Sequence, residues 1–179
     1  TVLLSGSHTL EDLPPIWSDY LINVRVLKIE NLKEGEAREL IVQPIENFPL
    51  DYEPAAVERI LNVTGCQPFL LQATCRDFVN LVNEQNRTTA TLSDADRALD
   101  SVLTTGVAYF QDLWGGRDSD DAQLAVMCAI ATQKDVGAFH ETPLQTALRK
   151  LVHRDILTAP DGTHTFRVEL VRRWVERNA

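Results

Sequence analysis

TPLQTALRKLVHRDILTAPDGTHTFRVELVRRWVER, residues 142–177, is the stretch that sets the fold reading of this chain. Thr142-Pro143-Leu144-Gln145 has the form of a capping box with proline at the first helical position, a specific helix start. Leu144, Leu148, Leu151 and Val152 then recur at helical spacing and supply one apolar face. Ile156–Ala159 and Thr163–Val168 flank Pro160-Asp161-Gly162, a turn between two short strands. Leu170 to Arg177 reads as a closing helix.

Working outward, Ser119 is placed to cap a helix with Asp120 and Asp121 at its positive end. That helix buries some of Leu124, Val126, Met127, Cys128 and Ile130. Helix, helix, two-stranded hairpin and helix is the order of a winged helix, expected here over residues 116–179. Gly115-Gly116-Arg117-Asp118 marks its boundary.

Three helices are expected over residues 50–115. Pro54 opens the first, with Val57, Ile60 and Leu61 inward, and Gly65 closes it. Pro68 opens the second, whose Leu71, Cys75, Phe78 and Val82 lie on one face. Ser93 is placed to cap the third, with Leu99, Val102, Leu103, Val107 and Phe110 as its stripe. Over residues 1–49, TVLLSGS (1–7) reads as a buried strand entering a turn, and Val24–Ile29 as a second strand. Lys33 to Val42 reads as a helix ended by Pro44.

The chain has 179 residues, of which 44% are hydrophobic, enough for a core. The net charge of −9 is uneven. Residues 119–179 hold eight Lys/Arg and eight Asp/Glu, whereas residues 1–118 hold nine and eighteen. An acidic body repels phosphate backbones and disfavours nucleic acid as a partner. No apolar run reaches membrane-spanning length, and Cys66, Cys75 and Cys128 form neither a metal pair nor a disulfide framework. A cytoplasmic protein is the expectation.

Four stretches, in order, resemble one family. They are Val2-Leu3-Leu4-Ser5-Gly6-Ser7; Val26–Leu32 with Glu36–Ile41 and Pro44; Thr64-Gly65-Cys66-Gln67-Pro68-Phe69-Leu70-Leu71-Gln72; and Phe166–Trp174. Together they look like the later part of the STAND ATPases, AAA-like P-loop enzymes of signal transduction. The resemblance implies a mainly α fold with small β: a remnant of an α/β P-loop core (1–49), a helical lid bundle (50–115) and a winged helix (116–179). No Gly-Lys pair occurs, and the only Asp-Asp, Asp120-Asp121, follows a polar loop. The phosphate loop and magnesium site are therefore missing, and the start at Thr1-Val2-Leu3-Leu4 reads as that of a fragment.

On this resemblance Ser5 or Ser7 would sense the γ-phosphate, and Arg25 would stand near a charge-stabilising position. Gly65 and Pro68 would contact the nucleotide, with Cys66 where the family often has glycine. ATP and magnesium are implied for the full-length protein and neither for this piece, which should not hydrolyse ATP alone. The implied partners are the upstream P-loop core and an output domain, with self-association left open, and the winged helix would hinge near Gly115-Gly116. The rival is a transcription regulator reading DNA through Arg149, Lys150 and His153, beside Gln145 and Thr146 on the same face. His8, His140, His153 and His164 show no paired spacing, and no metal ligand set or catalytic triad is expected.

Overall fold

The computed structural model describes Ile16, Tyr20, Leu21, residues 23–25, Leu27, and residues 29–115, 120–133 and 142–178. The chain divides into two compact units, Thr1–Glu30 and Asn31–Ala179. In the first unit, Val24, Arg25, Leu27 and Ile29 are exposed and irregular, and Ile29 is 94% exposed. β-branched residues make a strand only where a neighbour completes the hydrogen-bond ladder. Among the described residues none pairs here, so a strand at Val24–Ile29 is not formed by those described. The expected strand over residues 1–7 lies outside the described residues, as do Ser5, Ser7 and His8.

The second unit is mainly helical with two small sheets. Its elements run α1 (Glu34–Val42), β1 (Asp51–Tyr52), α2 (Pro54–Thr64), α3 (Pro68–Glu84), β2 (Thr89–Ala90) and α4 (Leu92–Thr105). They continue as α5 (Val107–Gly115), α6 (Asp121–Ala131), α7 (Thr142–His153), β3 (Leu157–Thr158), β4 (Thr165–Phe166) and α8 (Glu169–Asn178). β1 and β2 pair in parallel, with Asp51 opposite Thr89 and Tyr52 opposite Ala90. β3 and β4 pair antiparallel, Leu157 opposite Phe166 and Thr158 opposite Thr165.

Local chemistry sets most boundaries. Pro54 and Pro68 stand at the first turns of α2 and α3, where a missing N–H costs nothing. The cap of α4 is Thr91 rather than Ser93. Thr91 accepts from the Asp94 N–H, Asp94 accepts from the Thr91 N–H at 3.0 Å, and Arg87 Nη2 meets Asp94 Oδ1 at 2.7 Å. This reciprocal box leaves Ser93 inside the helix. The expected single stripe Leu99–Phe110 is split at Gly106, where a Cβ would come 2.9 Å from the Val102 carbonyl oxygen. α6 is capped by Asp120, whose side chain accepts from the Gln123 N–H at 2.9 Å.

Two hydrophobic clusters result. The first is local: Ala37 and Ile41 of α1 pack with Ile60 of α2, Leu71 and Phe78 of α3, and Ala98 of α4. The second joins distant elements: Leu70, Val102 and Phe110 pack with Met127, Leu151 and Trp174. No described helix is long and apolar enough to cross a membrane.

Candidate functional site

The turn between α2 and α3 carries both expected nucleotide residues, Gly65 and Pro68. Thr64 ends α2 buried, its hydroxyl donating to the Ile60 carbonyl at 2.7 Å. Gly65 and Cys66 then adopt two successive left-handed conformations, φ 56° and 55°. A non-glycine residue pays roughly 1–2 kcal/mol for this, so Cys66 must be held in place. Leu32 N–H donates to the Cys66 carbonyl at 3.1 Å, and Asn31 Nδ2 donates to the Gly65 carbonyl at 3.1 Å. Gln67 caps α3, accepting from the Leu70 N–H at 2.7 Å.

Gly65 is needed for a second reason. A Cβ there would lie 3.3 Å from the Arg167 carbonyl oxygen and 3.3 Å from Val168 Cγ2. The close approach is thus to the link between β4 and α8, and Cys66, one residue on, carries a side chain without blocking it. Burial, then the nearby Glu34 carboxylate, raises the half-buried Cys66 thiol above its ordinary pKa, so it stays neutral.

Pro68 is half-buried at the start of α3. Its neighbour Phe69 is 45% exposed and stacks on Tyr109 at 4.9 Å. From there an aromatic series continues inward. Tyr109 meets Phe110 edge-on at 5.5 Å, and Phe110 stacks on Trp174 at 5.4 Å. Trp114 meets Trp174 edge-on at 5.8 Å. Sequence reasoning missed this series. The only signal is Phe110 and Trp114, four residues apart on one helical face.

Among the other candidates, Arg25 is exposed in the Thr1–Glu30 unit. Arg149, Lys150 and His153 lie together on the exposed side of α7, as Gln145 and Thr146 do. Lys150 Nζ is held 3.1 Å from Asp120 Oδ2, the cap of α6. The Gln123 backbone N–H, then Lys150, lowers the Asp120 carboxyl below its ordinary pKa. Arg154 donates to the buried Gln123 side chain at 2.8 Å. Part of this face's positive charge is therefore answered within the chain. Among the described residues no group of three or more His, Cys, Asp or Glu is arranged to hold a metal.

No protein-family model matches the chain, and no curated protein or solved structure matches it significantly.

Proposed function

We propose that the chain is the lid and clamp of a nucleotide-switched signal-transducing ATPase of the STAND kind, with helices α2 to α5 as lid. α6 to α8 with the β3–β4 hairpin would form a winged-helix clamp. The observation that carries this reading is the contact of Gly65 with Arg167 and Val168. It ties the turn expected to meet a nucleotide directly to the C-terminal helix group. A change in the position of Pro68 is thereby felt at α8, which a relay requires. Pro68 would lie against the base, Ser5 or Ser7 would read the γ-phosphate, and Arg25 would face developing charge. ATP and magnesium would be held by a P-loop core that this sequence lacks. Gly65 would serve the relay, since its open side is already filled by this chain's own backbone.

The DNA-reading alternative is weaker, because Lys150 is engaged by Asp120 and the C-terminal third has no net positive charge. The decisive test is calorimetry on the polypeptide encoded by the complete gene. It should bind ATP with magnesium, more weakly once Pro68→Ala is introduced, while the 179-residue chain alone should not bind tightly. A complete protein with no ATP affinity sinks the proposal.

A further inference from the structure

Away from the Gly65–Pro68 turn, α1 and α3 leave between them a surface cleft of about 290 Å³. Leu40 and Pro44 line one side, Cys75 and Val79 the other, and Phe48 and Tyr52 the end. Neither Gly65 nor Pro68 lines it. The lining carries no charge at these positions. Burial pushes the Cys75 thiol up to about 12, and burial, then Cys75, keeps the Tyr52 phenol protonated. Apolar surface continues outside: Val42, the last residue of α1, is 39% exposed, and Ile45, just past it, is 64% exposed. The volume lies just under the roughly 300–1,000 Å³ of small-molecule pockets and suits one or two large side chains.

The surroundings are acidic. Glu46 lies between Pro44 and Phe48, and Glu84 follows Asn80 by one helical turn. Both are exposed, and among the described residues neither has an ion-pair partner. The one cation at the rim, Arg76, is neutralised by Asp77 at 2.9 Å. Gln72 and Asn80 complete the rim.

We propose that this cleft docks a basic amphipathic segment of a partner protein, seating one bulky apolar side chain between Phe48 and Val79. Lysines or arginines of that segment lie against Glu46 and Glu84. An apolar slot flanked by unpaired carboxylates suits such an occupant on both counts, anchor and charge. The same carboxylates repel nucleic acid and anionic lipid. The proposal is independent of nucleotide binding.

The probe is a fluorescein-labelled helical peptide with lysines on one face and a single tryptophan among leucines on the other, followed by anisotropy. Saturable binding in the micromolar range is expected, weakening by about tenfold when the peptide's tryptophan becomes serine. The double variant Gln72→Lys/Asn80→Lys, at exposed positions, should weaken it similarly, as should the cleft-filling Val79→Trp. Glu46→Lys/Glu84→Lys should weaken binding and flatten its salt dependence. Circular dichroism establishes that each variant folds, and the exposed-site variants serve if Val79→Trp does not. Absence of saturation overturns the proposal. So does equal binding by the serine peptide, which would mean charge attraction without seating, or by Gln72→Lys/Asn80→Lys, which would place the peptide elsewhere on the surface. Sedimentation of the chain alone is the remaining arm: self-association abolished by Val79→Trp would give the cleft to a second copy and overturn the basic partner.

Discussion

The two hydrophobic clusters are of similar chemistry but opposite organisation. The cluster of α1 to α4 gathers residues between Ala37 and Ala98 and is nearly complete within one stretch of chain. The other reaches from Val63 to Val175, and its C-terminal helix α8 is buried as much by α2, α4 and α5 as by its own neighbours α6 and β4. The helix–helix–hairpin–helix group therefore borrows its core. Moving it away from α2–α5 would expose Val171, Trp174 and Val175, each worth roughly 1.5–3 kcal/mol when fully buried. That total is comparable to the roughly 5.5 kcal/mol of differential binding needed to invert a two-state equilibrium. A nucleotide switch of the proposed kind would have little energy to spare for complete separation, and a small shift at the Gly65 contact would be the cheaper motion.

The largest test of this contrast is Trp174→Ala. Loss of a buried tryptophan stacked on Phe110 should cost about 3–5 kcal/mol in urea unfolding. Because the cluster is shared, the unfolding seen by far-ultraviolet dichroism should remain one transition shifted to lower urea. If the C-terminal group instead melts separately while α1–α4 is unaffected, the cluster is not a shared one. Phe78→Ala, in the local cluster, should cost a similar amount.

Next in size is Gly65→Ala. The left-handed backbone costs an alanine about 1–2 kcal/mol, and the 3.3 Å approach to the Arg167 carbonyl adds to it. Cys66→Gly, at the adjacent left-handed position, should stabilise or leave stability unchanged, since glycine relieves the strain that Cys66 carries. Urea midpoints of the two variants moving in the same direction would show that the turn is not strained as described.

How much of this could be read beforehand follows from range. Pro54, Gly65 and Pro68 fix α2 and α3 by backbone chemistry that acts within a few residues. Pro160-Asp161-Gly162 likewise foretells the β3–β4 hairpin. The β1–β2 pair was invisible, because two residues on each side, 51–52 and 89–90, carry no periodicity and meet across two helices. Gly106 was hidden by an apolar stripe that keeps helical spacing through the break. At the candidate site, glycine's role as a helix terminator was readable. Its approach to Arg167 was not, for that depends on how a segment a hundred residues later is laid down.

A smaller effect separates the clusters by pH. Burial pushes the Asp94 carboxyl up, but Arg87 and the Thr91 N–H and hydroxyl more than offset it, leaving it below its ordinary pKa. A depressed carboxyl stabilises the fold fully above the unfolded value of about 4. That contribution is lost as the pH falls through the lower, folded-state value. Asp94→Asn should cost about 1–2 kcal/mol at neutral pH and flatten the acid side of the stability curve. An unchanged acid limb would remove Asp94 from the account of the α4 start.

The smallest effect concerns the one long-range ion pair that joins α4 to α8, Arg177 Nη2 to Asp100 Oδ1 at 2.8 Å. It spans the same two regions as Trp174, yet both side chains are more than half exposed. Water screens such a pair, and holding two long side chains costs entropy, so Arg177→Ala should change stability by about 0–1 kcal/mol. The change should shrink further in high salt. Measured beside Trp174→Ala, this separates apolar burial from charge as the bond between the regions. A salt-sensitive loss from Arg177→Ala as large as that from Trp174→Ala would mean that the two regions are held by charge, and that the shared core is incidental.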